Sequence, residues 1–129
     1  RIDDSQDGIH QLSGAISHAT CGMAIDIGAK VIVVTSMSGM TVRMVSRFRA
    51  PTDIVGMATN KRVWYKLSLS WGVLPVLSEQ FNSTDVLFYH ALRAARDTMH
   101  LQPGDNVVMT GGITNGKSGN TNLIKIEAV

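Results

Sequence analysis

The chain has 129 residues, of which 44% are hydrophobic, and its formal net charge is +2. This length suits one domain with a buried core and is too short for two, so we expect a single domain over 1–129, with 1–12 as a linker and helix start. No apolar run approaches the roughly 20 residues that cross a bilayer, so no membrane partner is expected. The small net charge, the 5% aromatic content and the lack of a base-reading motif argue against nucleic-acid binding.

The cysteine content and the first residues indicate the setting of the chain. Cys21 is the single cysteine and cannot form an internal disulfide, which favours a reducing, cytoplasmic location. The opening Arg1–Asp4 lacks an initiator Met and matches neither a signal peptide nor a transit peptide. We therefore expect a segment of a longer protein.

The first half of the chain alternates between helical and strand patterns. Apolar residues at three- and four-residue intervals over 8–28 predict an amphipathic helix. The β-branched run Lys30–Thr35 predicts a strand buried on both faces, as in a parallel sheet. A second helix should follow and end before Pro51. The predicted inner faces are Ile9, Leu12, Ile16, Ala19, Met23 and Ile27 in the first helix, and Met40, Met44, Val45 and Phe48 in the second.

The second half continues the alternation. Asn60 is a candidate cap for a helix over 61–70, and Pro75 predicts that its strand lies at a sheet edge, because proline cannot donate to a ladder. A longer helix should begin near 82–85 and bury Leu87, Ala91, Leu92, Ala95 and Met99. The predicted strands are Asp53–Ala58, Gly72–Leu77, Asn106–Thr110 and Thr121–Val129.

Together these elements predict an α/β fold, a three-layer α/β/α sandwich with a five-stranded mixed sheet in the order 3-2-1-4-5. Strands that alternate with helices imply crossovers and a mainly parallel sheet. Only ten residues separate Thr110 from Thr121. That is too few for a helical crossover, so the last strand should be antiparallel.

The segment Thr35–Thr41 is a candidate anion site, because it follows a strand and opens a helix. Unpaired amides and about half a positive charge at a helix N-terminus suit a phosphate monoester. The region 43–66 holds six basic residues and one acid, Asp53. The alternative is an ordinary capped turn with Ser38 as N-cap. The candidate residues are Thr35, Ser36, Met37, Ser38, Gly39, Met40 and Thr41.

Two other motifs resemble catalytic or nucleotide-binding sites but favour a purely structural role. Residues 111–118 match the letters of a P-loop, but only eleven residues follow Ser118, which leaves no room for the helix that a P-loop must feed. We interpret the segment as a glycine-rich hairpin loop that contacts phosphate as an accessory. Cys21 and His18 lie three residues apart on a predicted helix and could pair as nucleophile and base, yet a free helical cysteine is usually packed.

Ordered motifs over nearly the whole chain after Ser13 resemble the C-terminal domain of pyruvate kinases. Motifs this numerous and in this order are much more specific than the P-loop letters. The stretches that carry the resemblance are Ala15–Thr20, Lys30–Thr35, Ser38–Gly39, Thr41–Pro51, Trp71–Leu77, Pro103–Asp105 and Ser118–Asn122.

The resemblance implies a role without catalytic residues in this chain. An upstream barrel domain of the same protein would transfer phosphate from phosphoenolpyruvate to ADP and hold Mg²⁺ and K⁺, so this chain would need no cofactor. The C-terminal domain would contribute to a homotetramer and bind a sugar-phosphate or nucleotide effector. The loop 35–41 would hold the effector phosphate, and a hairpin loop would close over it. That accessory loop comprises Gly116, Lys117, Ser118 and Gly119.

Two other functions stay open at this point. A stand-alone module with the same fold could sense a phosphorylated metabolite without any barrel. A small enzyme acting on a phosphate ester would instead need an acid, base or nucleophile beside the 35–41 loop, for which Cys21 and His18 are the candidates.

Overall fold

The computed structural model describes residues 4–35, 42, 45–46, 51–70, 72–79, 83–111 and 123–129, with side chains from residue 14 onward except at Thr84. Val42, Val45 and Ser46 are helical and buried, and the rest of the predicted second helix, including Met40, Met44 and Phe48, lies outside the described residues. The helices whose bounds lie among the described residues are α1 (Asp4–Ile27), α2 (Lys61–Ser68) and α3 (Thr84–Met99). The strands are β1 (Val31–Thr35), β2 (Asp53–Ala58), β3 (Val73–Leu77), β4 (Asn106–Gly111) and β5 (Leu123–Ala128).

The five strands form one sheet in the order β3-β2-β1-β4-β5, which confirms the predicted topology. β1 is paired in parallel with β2 and β4, and β2 is paired in parallel with β3. β5 runs antiparallel to β4, with Gly111 opposite Leu123. The predicted mixed sheet with an antiparallel last strand is therefore correct.

Two apolar clusters cover the two faces of the sheet, which gives the predicted three layers. On one face, α1 and α2 pack with Val42 and Val45 against alternate side chains of the sheet, including Ile32 and Val34. On the other face, α3 packs through Phe88, Ala91 and Ala95. No helix in the described part of the chain is long and apolar enough to span a membrane.

The buried face of α1 differs from the predicted stripe. Of the predicted residues whose side chains are described, Ala19 and Ile27 are exposed and Ile16 and Met23 are half-buried. The side chains of the predicted Ile9 and Leu12 lie outside the described residues. The buried residues of the helix are Ser17, Thr20, Cys21 and Ala24. Small side chains allow the helix backbone to approach the sheet closely. Thr20 Oγ1 donates to the Ile16 carbonyl oxygen at 2.7 Å within the helix, and Cys21 Sγ donates to the Val45 carbonyl oxygen at 3.7 Å in the connection after β1. The helix also begins at Asp4, four residues before the predicted start.

Local signals in the second half were predicted correctly. Asn60 caps α2, because its Oδ1 accepts from the Val63 amide at 2.9 Å. Val63 and Leu67 form the buried face of that helix. Pro75 lies on β3, which is an edge strand. These features depend on a few neighbouring residues, so a sequence pattern is sufficient to find them.

Gly56 in β2 marks the closest packing between the sheet and its helices. A Cβ at this position would lie 3.0 Å from Leu67 Cδ1, 3.1 Å from Val42 Cγ1 and 3.2 Å from Val73 Cγ1. Three neighbouring side chains would therefore have to move to admit a single methyl group.

We expect Gly56→Ala to lower the free energy of unfolding by about 1–3 kcal/mol, because it overpacks a filled core. Gly22→Ala is the matched control, since a Cβ there meets nothing within 4 Å and α1 should gain up to about 1 kcal/mol from the better helix former. Urea unfolding of both variants measures the difference. A Gly56→Ala variant as stable as the original chain would show that this contact is not tight.

Candidate functional site

The candidate site lies where the chain connections diverge at the carboxyl edge of the sheet. The connections after β1 and β2 cross one face of the sheet, because their buried residues belong to the core cluster on that face. The connection after β3 contains α3, which covers the other face. The carboxyl ends of β1 and β4 are therefore neighbours at a topological switch point. In open α/β sheets, ligands bind in the crevice at such a point.

Thr35, Thr110 and Gly111 form the described part of this switch point. Thr35 Oγ1 donates to the Thr110 carbonyl oxygen at 3.4 Å, a long hydrogen bond between neighbouring strands. Thr110 Oγ1 in turn donates to the Leu123 carbonyl oxygen at 3.0 Å. Thr35 is 8% exposed and Thr110 is fully buried. The two hydroxyl groups thus tie the ends of three adjacent strands together.

Gly111 is required by this arrangement. A Cβ built on Gly111 would overlap Thr35 Oγ1 and would lie 3.0 Å from Thr35 Cβ. Any side chain at 111 would therefore displace the Thr35 hydroxyl from its position at the end of β1. The absence of a side chain lets the two strand ends approach each other.

Of the residues predicted for the anion site, the structure describes Thr35 and places it at the switch point. Ser36, Met37, Ser38, Gly39, Met40 and Thr41 lie outside the described residues, as do Gly116, Lys117, Ser118 and Gly119. The segments that contain them begin directly after β1 and β4, whose ends are adjacent through the pairing of Val34 with Thr110. Both predicted loops therefore leave the sheet at the same place.

Sequence reasoning missed Thr110 and Gly111 as members of this site. Gly111 was considered only as the first letter of the P-loop match, and Thr110 only as the end of a strand. The available signal was that Thr35 and Thr110 each end a buried apolar strand. Residues at the carboxyl ends of two neighbouring parallel strands lie at the same edge of the sheet.

Arg93 and Arg96 on α3 are the candidates for a second effector-contacting arginine that the resemblance implies, and both lie away from this edge. α3 follows β3, so it begins at the carboxyl edge and runs towards the start of β4. At 1.5 Å per residue, Arg93 and Arg96 lie about 14 and 18 Å along the axis from the first residue of the helix. Arg93 lies over the Tyr89 ring at 5.9 Å from its centroid, and Arg96 lies 3.8 Å from Asp97.

The geometry of Cys21 and His18 does not favour nucleophilic catalysis. Cys21 is buried and donates to the Val45 carbonyl oxygen, whereas His18 is exposed. Burial raises the pKa of the Cys21 thiol, which disfavours the thiolate that a nucleophile needs. Both observations favour the packed interpretation of this cysteine.

A separate cleft of about 430 Å³ opens at the ends of β2 and β3, lined by Thr59, Asn60, Lys61, Leu77, Ser78 and Glu79. Asn60 is already engaged as the cap of α2. Among the described residues, no group of three or more His, Cys, Asp or Glu could hold a metal ion. The switch point stays the candidate for ligand binding because the predicted phosphate-contacting segments begin there.

Comparison with known proteins gives consistent matches. Residues 14–127 match the family model described as "Pyruvate kinase, alpha/beta domain". The chain is 36% identical over 117 residues to the pyruvate kinase of Clostridium acetobutylicum, which covers 91% of this chain and 25% of that protein. It is 34% identical over 115 residues to the pyruvate kinase of Lactobacillus delbrueckii subsp. bulgaricus, which covers 89% of this chain and 20% of that protein.

A solved structure shows the same fold. The crystal structure of a pyruvate kinase from Cryptosporidium parvum matches 91% of this chain and 22% of its own chain, with a TM-score of 0.79 and 24% sequence identity. The present chain thus spans about a fifth to a quarter of the length of these relatives.

We expect Gly111→Ala to lower the free energy of unfolding by about 1–3 kcal/mol, because the new methyl group collides with Thr35. Thermal unfolding monitored by circular dichroism measures the loss. In the double variant Gly111→Ala with Thr35→Ala, the removal of the Thr35 hydroxyl that the new methyl group overlaps should recover part of it. Equal stability of Gly111→Ala and the original chain would contradict the close approach of β1 and β4.

Proposed function

Because this chain belongs to the family of pyruvate kinase alpha/beta domains, we propose that it is the regulatory and subunit-contact part of a pyruvate kinase. Residues 1–129 would form one domain, with 1–12 leading into it. The observation that carries this proposal is the meeting of β1 and β4 at the switch point, where both predicted phosphate-contacting segments leave the sheet.

The proposed ligand is a phosphorylated small molecule, a sugar phosphate or a nucleotide. The hydroxyl of Thr35 would contact its phosphate, together with Ser36, Ser38, Thr41 and the amides of the 35–41 segment. Residues 116–119 would cover the ligand from the end of β4. The basic residues of the region 43–66 support an anionic ligand, because they concentrate positive charge in one part of the chain.

The proposed subunit contact uses the edge of β5. No described strand pairs with the outer edge of β5, which carries the partly exposed Leu123 and Ile126. Such an edge pairs readily with its own copy across a two-fold axis. The opposite edge, β3, contains Pro75 and lacks one amide donor. The two edges therefore differ in their capacity to extend the sheet.

The hydrogen bonds between β4 and the end of the chain show which amides of β5 face away from β4. Val129 donates its amide to the Asp105 carbonyl oxygen at 2.9 Å, so odd-numbered amides of β5 face β4. The amides of Ile124, Ile126 and Ala128 consequently point outward. Exposed Ile25 and Ile27 on α1 add apolar surface on the face that α1 covers.

Catalysis and metal binding would belong to the rest of the parent protein. The chain spans 20–25% of the length of its curated relatives, which leaves ample length for a separate catalytic domain. In the proposed parent, an upstream barrel would transfer phosphate from phosphoenolpyruvate to ADP and would bind Mg²⁺ and K⁺. This chain would supply effector binding and subunit contacts to a cytoplasmic homotetramer.

We expect selective, saturable NMR shifts of the Thr35 and Gly111 amides, and of residues 36–41 and 116–119, on titration with a phosphorylated ligand. The ligands to compare are fructose 1,6-bisphosphate, ribose 5-phosphate, glucose 6-phosphate, AMP and inorganic phosphate. Thr35→Val should weaken binding about tenfold, because it removes a hydrogen bond to a charged group.

Thr98→Val is the matched control for the titration. Thr98 Oγ1 donates to the Ala94 carbonyl oxygen at 2.6 Å within α3, so its loss should leave ligand affinity unchanged. If millimolar concentrations of all five ligands leave the amides at 35–41 and 116–119 unshifted, this chain has no effector site of its own.

We expect Ile126→Pro to weaken self-association of the chain about tenfold or more, measured by sedimentation velocity over a range of concentrations. The substitution removes an outward amide, worth about 1 kcal/mol, which two-fold symmetry uses twice. The pairing of β4 with β5 should persist, because that amide does not face β4. Ile126→Val keeps the amide and is the control. Unchanged association of Ile126→Pro would rule out strand pairing at β5.

A further inference from the structure

The outer face of α2 carries the two most exposed large apolar side chains in the described part of the chain. Leu69, the C-cap residue of the helix, is 88% exposed, and Tyr65 is 64% exposed. They are four positions apart and therefore lie on one face, about 6 Å from each other along the axis. Single exposed apolar side chains are common, whereas a contiguous group with a polar rim marks a site of interaction.

Basic side chains border this apolar pair on both sides. With a rotation of about 100° per residue, Lys61 lies about 40° to one side of Tyr65, and Arg62 and Lys66 lie about 60° and 100° to the other side. All three basic side chains are exposed. The outer face of α2 thus has an apolar centre and a cationic rim, which is the arrangement of a protein interface.

The positive charges of α2 have no acidic partner within the described part of the structure. No Asp or Glu occurs in the sequence between Asp53 and Glu79. The ion pairs among the described residues join other side chains, on α3 and β5. Lys61, Arg62 and Lys66 are therefore available to an anionic partner, and none of them has to break a described ion pair to bind it.

The packing of α2 holds this face in a fixed orientation. Asn60 caps the first turn, and Val63 and Leu67 anchor the opposite side of the helix in the core. The Tyr65 ring lies edge-on to the ring of Trp64, with 5.2 Å between the centroids, and Trp64 packs against the core cluster. An aromatic side chain that is already oriented loses little conformational entropy when a partner covers it.

The size of this face suits a short segment of a partner. The eight residues of α2 are about 12 Å long, whereas a stable interface between folded proteins buries about 800 Å² on each side. The helix adjoins the cleft of about 430 Å³ at the ends of β2 and β3, because Lys61 lines both. Leu77, which is half exposed, gives that cleft an apolar wall. A narrow segment can follow the helix and enter the cleft.

We propose that the α2 surface, which comprises Lys61, Arg62, Tyr65, Lys66 and Leu69, docks an acidic segment of another protein. Such a segment presents two large apolar side chains about 6 Å apart, with Asp or Glu on both sides of them. The apolar side chains cover Tyr65 and Leu69, and the carboxylates pair with the basic rim. α2 packs on β2 and β3, so this surface is separate from the switch point between β1 and β4 and is independent of effector binding there.

The test is an NMR titration of the complete chain with a ten-residue acidic peptide that carries two leucines four positions apart. We expect saturable shifts at the amides of residues 61–69, with a dissociation constant of about 1 mM or lower. Replacing both peptide leucines by serine should weaken binding about fivefold or more, because the apolar centre loses its cover. Replacing the peptide carboxylates by amides should weaken binding about tenfold, because the basic rim loses its partners.

Variants of the chain test the apolar centre and the basic rim separately. Leu69→Ser should weaken peptide binding about fivefold, and the fold should be unaffected because Leu69 is almost fully exposed. Arg62→Glu combined with Lys66→Glu should weaken binding about tenfold at low salt and less at high salt. Val86→Ser and Arg93→Glu are the matched controls, since both exposed residues lie on α3 across the sheet and should leave the affinity unchanged.

Absence of shifts at millimolar peptide would overturn the proposal, as would equal binding of the leucine and serine peptides, which would reduce the contact to charge alone. A uridine oligonucleotide or an anionic lipid vesicle that bound the same residues more tightly than the peptide would assign the surface to a different partner and refute the acidic segment. Self-association of the chain that Leu69→Ser abolished in sedimentation velocity would place a second copy on the surface and refute it equally.

Discussion

β1 carries the constraint on which the rest of the structure depends, because both of its edges and both of its faces are covered. All five of its residues are buried, and it pairs in parallel with β2 on one side and β4 on the other. Ile32 and Val34 enter one core cluster, while Val31 and Val33 enter the other. A strand in this position has to be apolar along its length, and its neighbours have to supply helices to both faces.

Because β1 is buried along its length, its polar side chain lies at its carboxyl end. Thr35 is the first residue of β1 that carries a polar side chain, and its hydroxyl finds a partner on the adjacent β4. The connections to the two helical layers diverge between these strands, and in open α/β sheets such a point is where ligands bind. The burial that stabilises the sheet and the position of the candidate ligand site thus have the same origin.

The two edge strands of the sheet differ in their capacity to pair with another strand. β3 carries a proline and lies beside α2, whereas β5 presents outward amides next to partly exposed apolar side chains. The hydrogen bond from Thr110 to Leu123 joins β5 to the strand end that borders the candidate site. A contact between subunits at β5 would therefore lie two strands from Thr35 of the candidate site, within the same sheet.

The sequence by itself determined the type and order of most elements, because strand burial, the Asn60 cap and the Pro75 edge depend on neighbouring residues or on a short period. It also placed Thr35 at the start of the candidate site. The buried face of α1 was decided by tertiary packing, since close contact with the sheet favours Ser17, Thr20, Cys21 and Ala24 over the larger Ile27 of the predicted stripe. The bonds that join Thr35, Thr110 and Leu123 likewise depend on strands brought together across 75 and 13 positions, which no local pattern encodes.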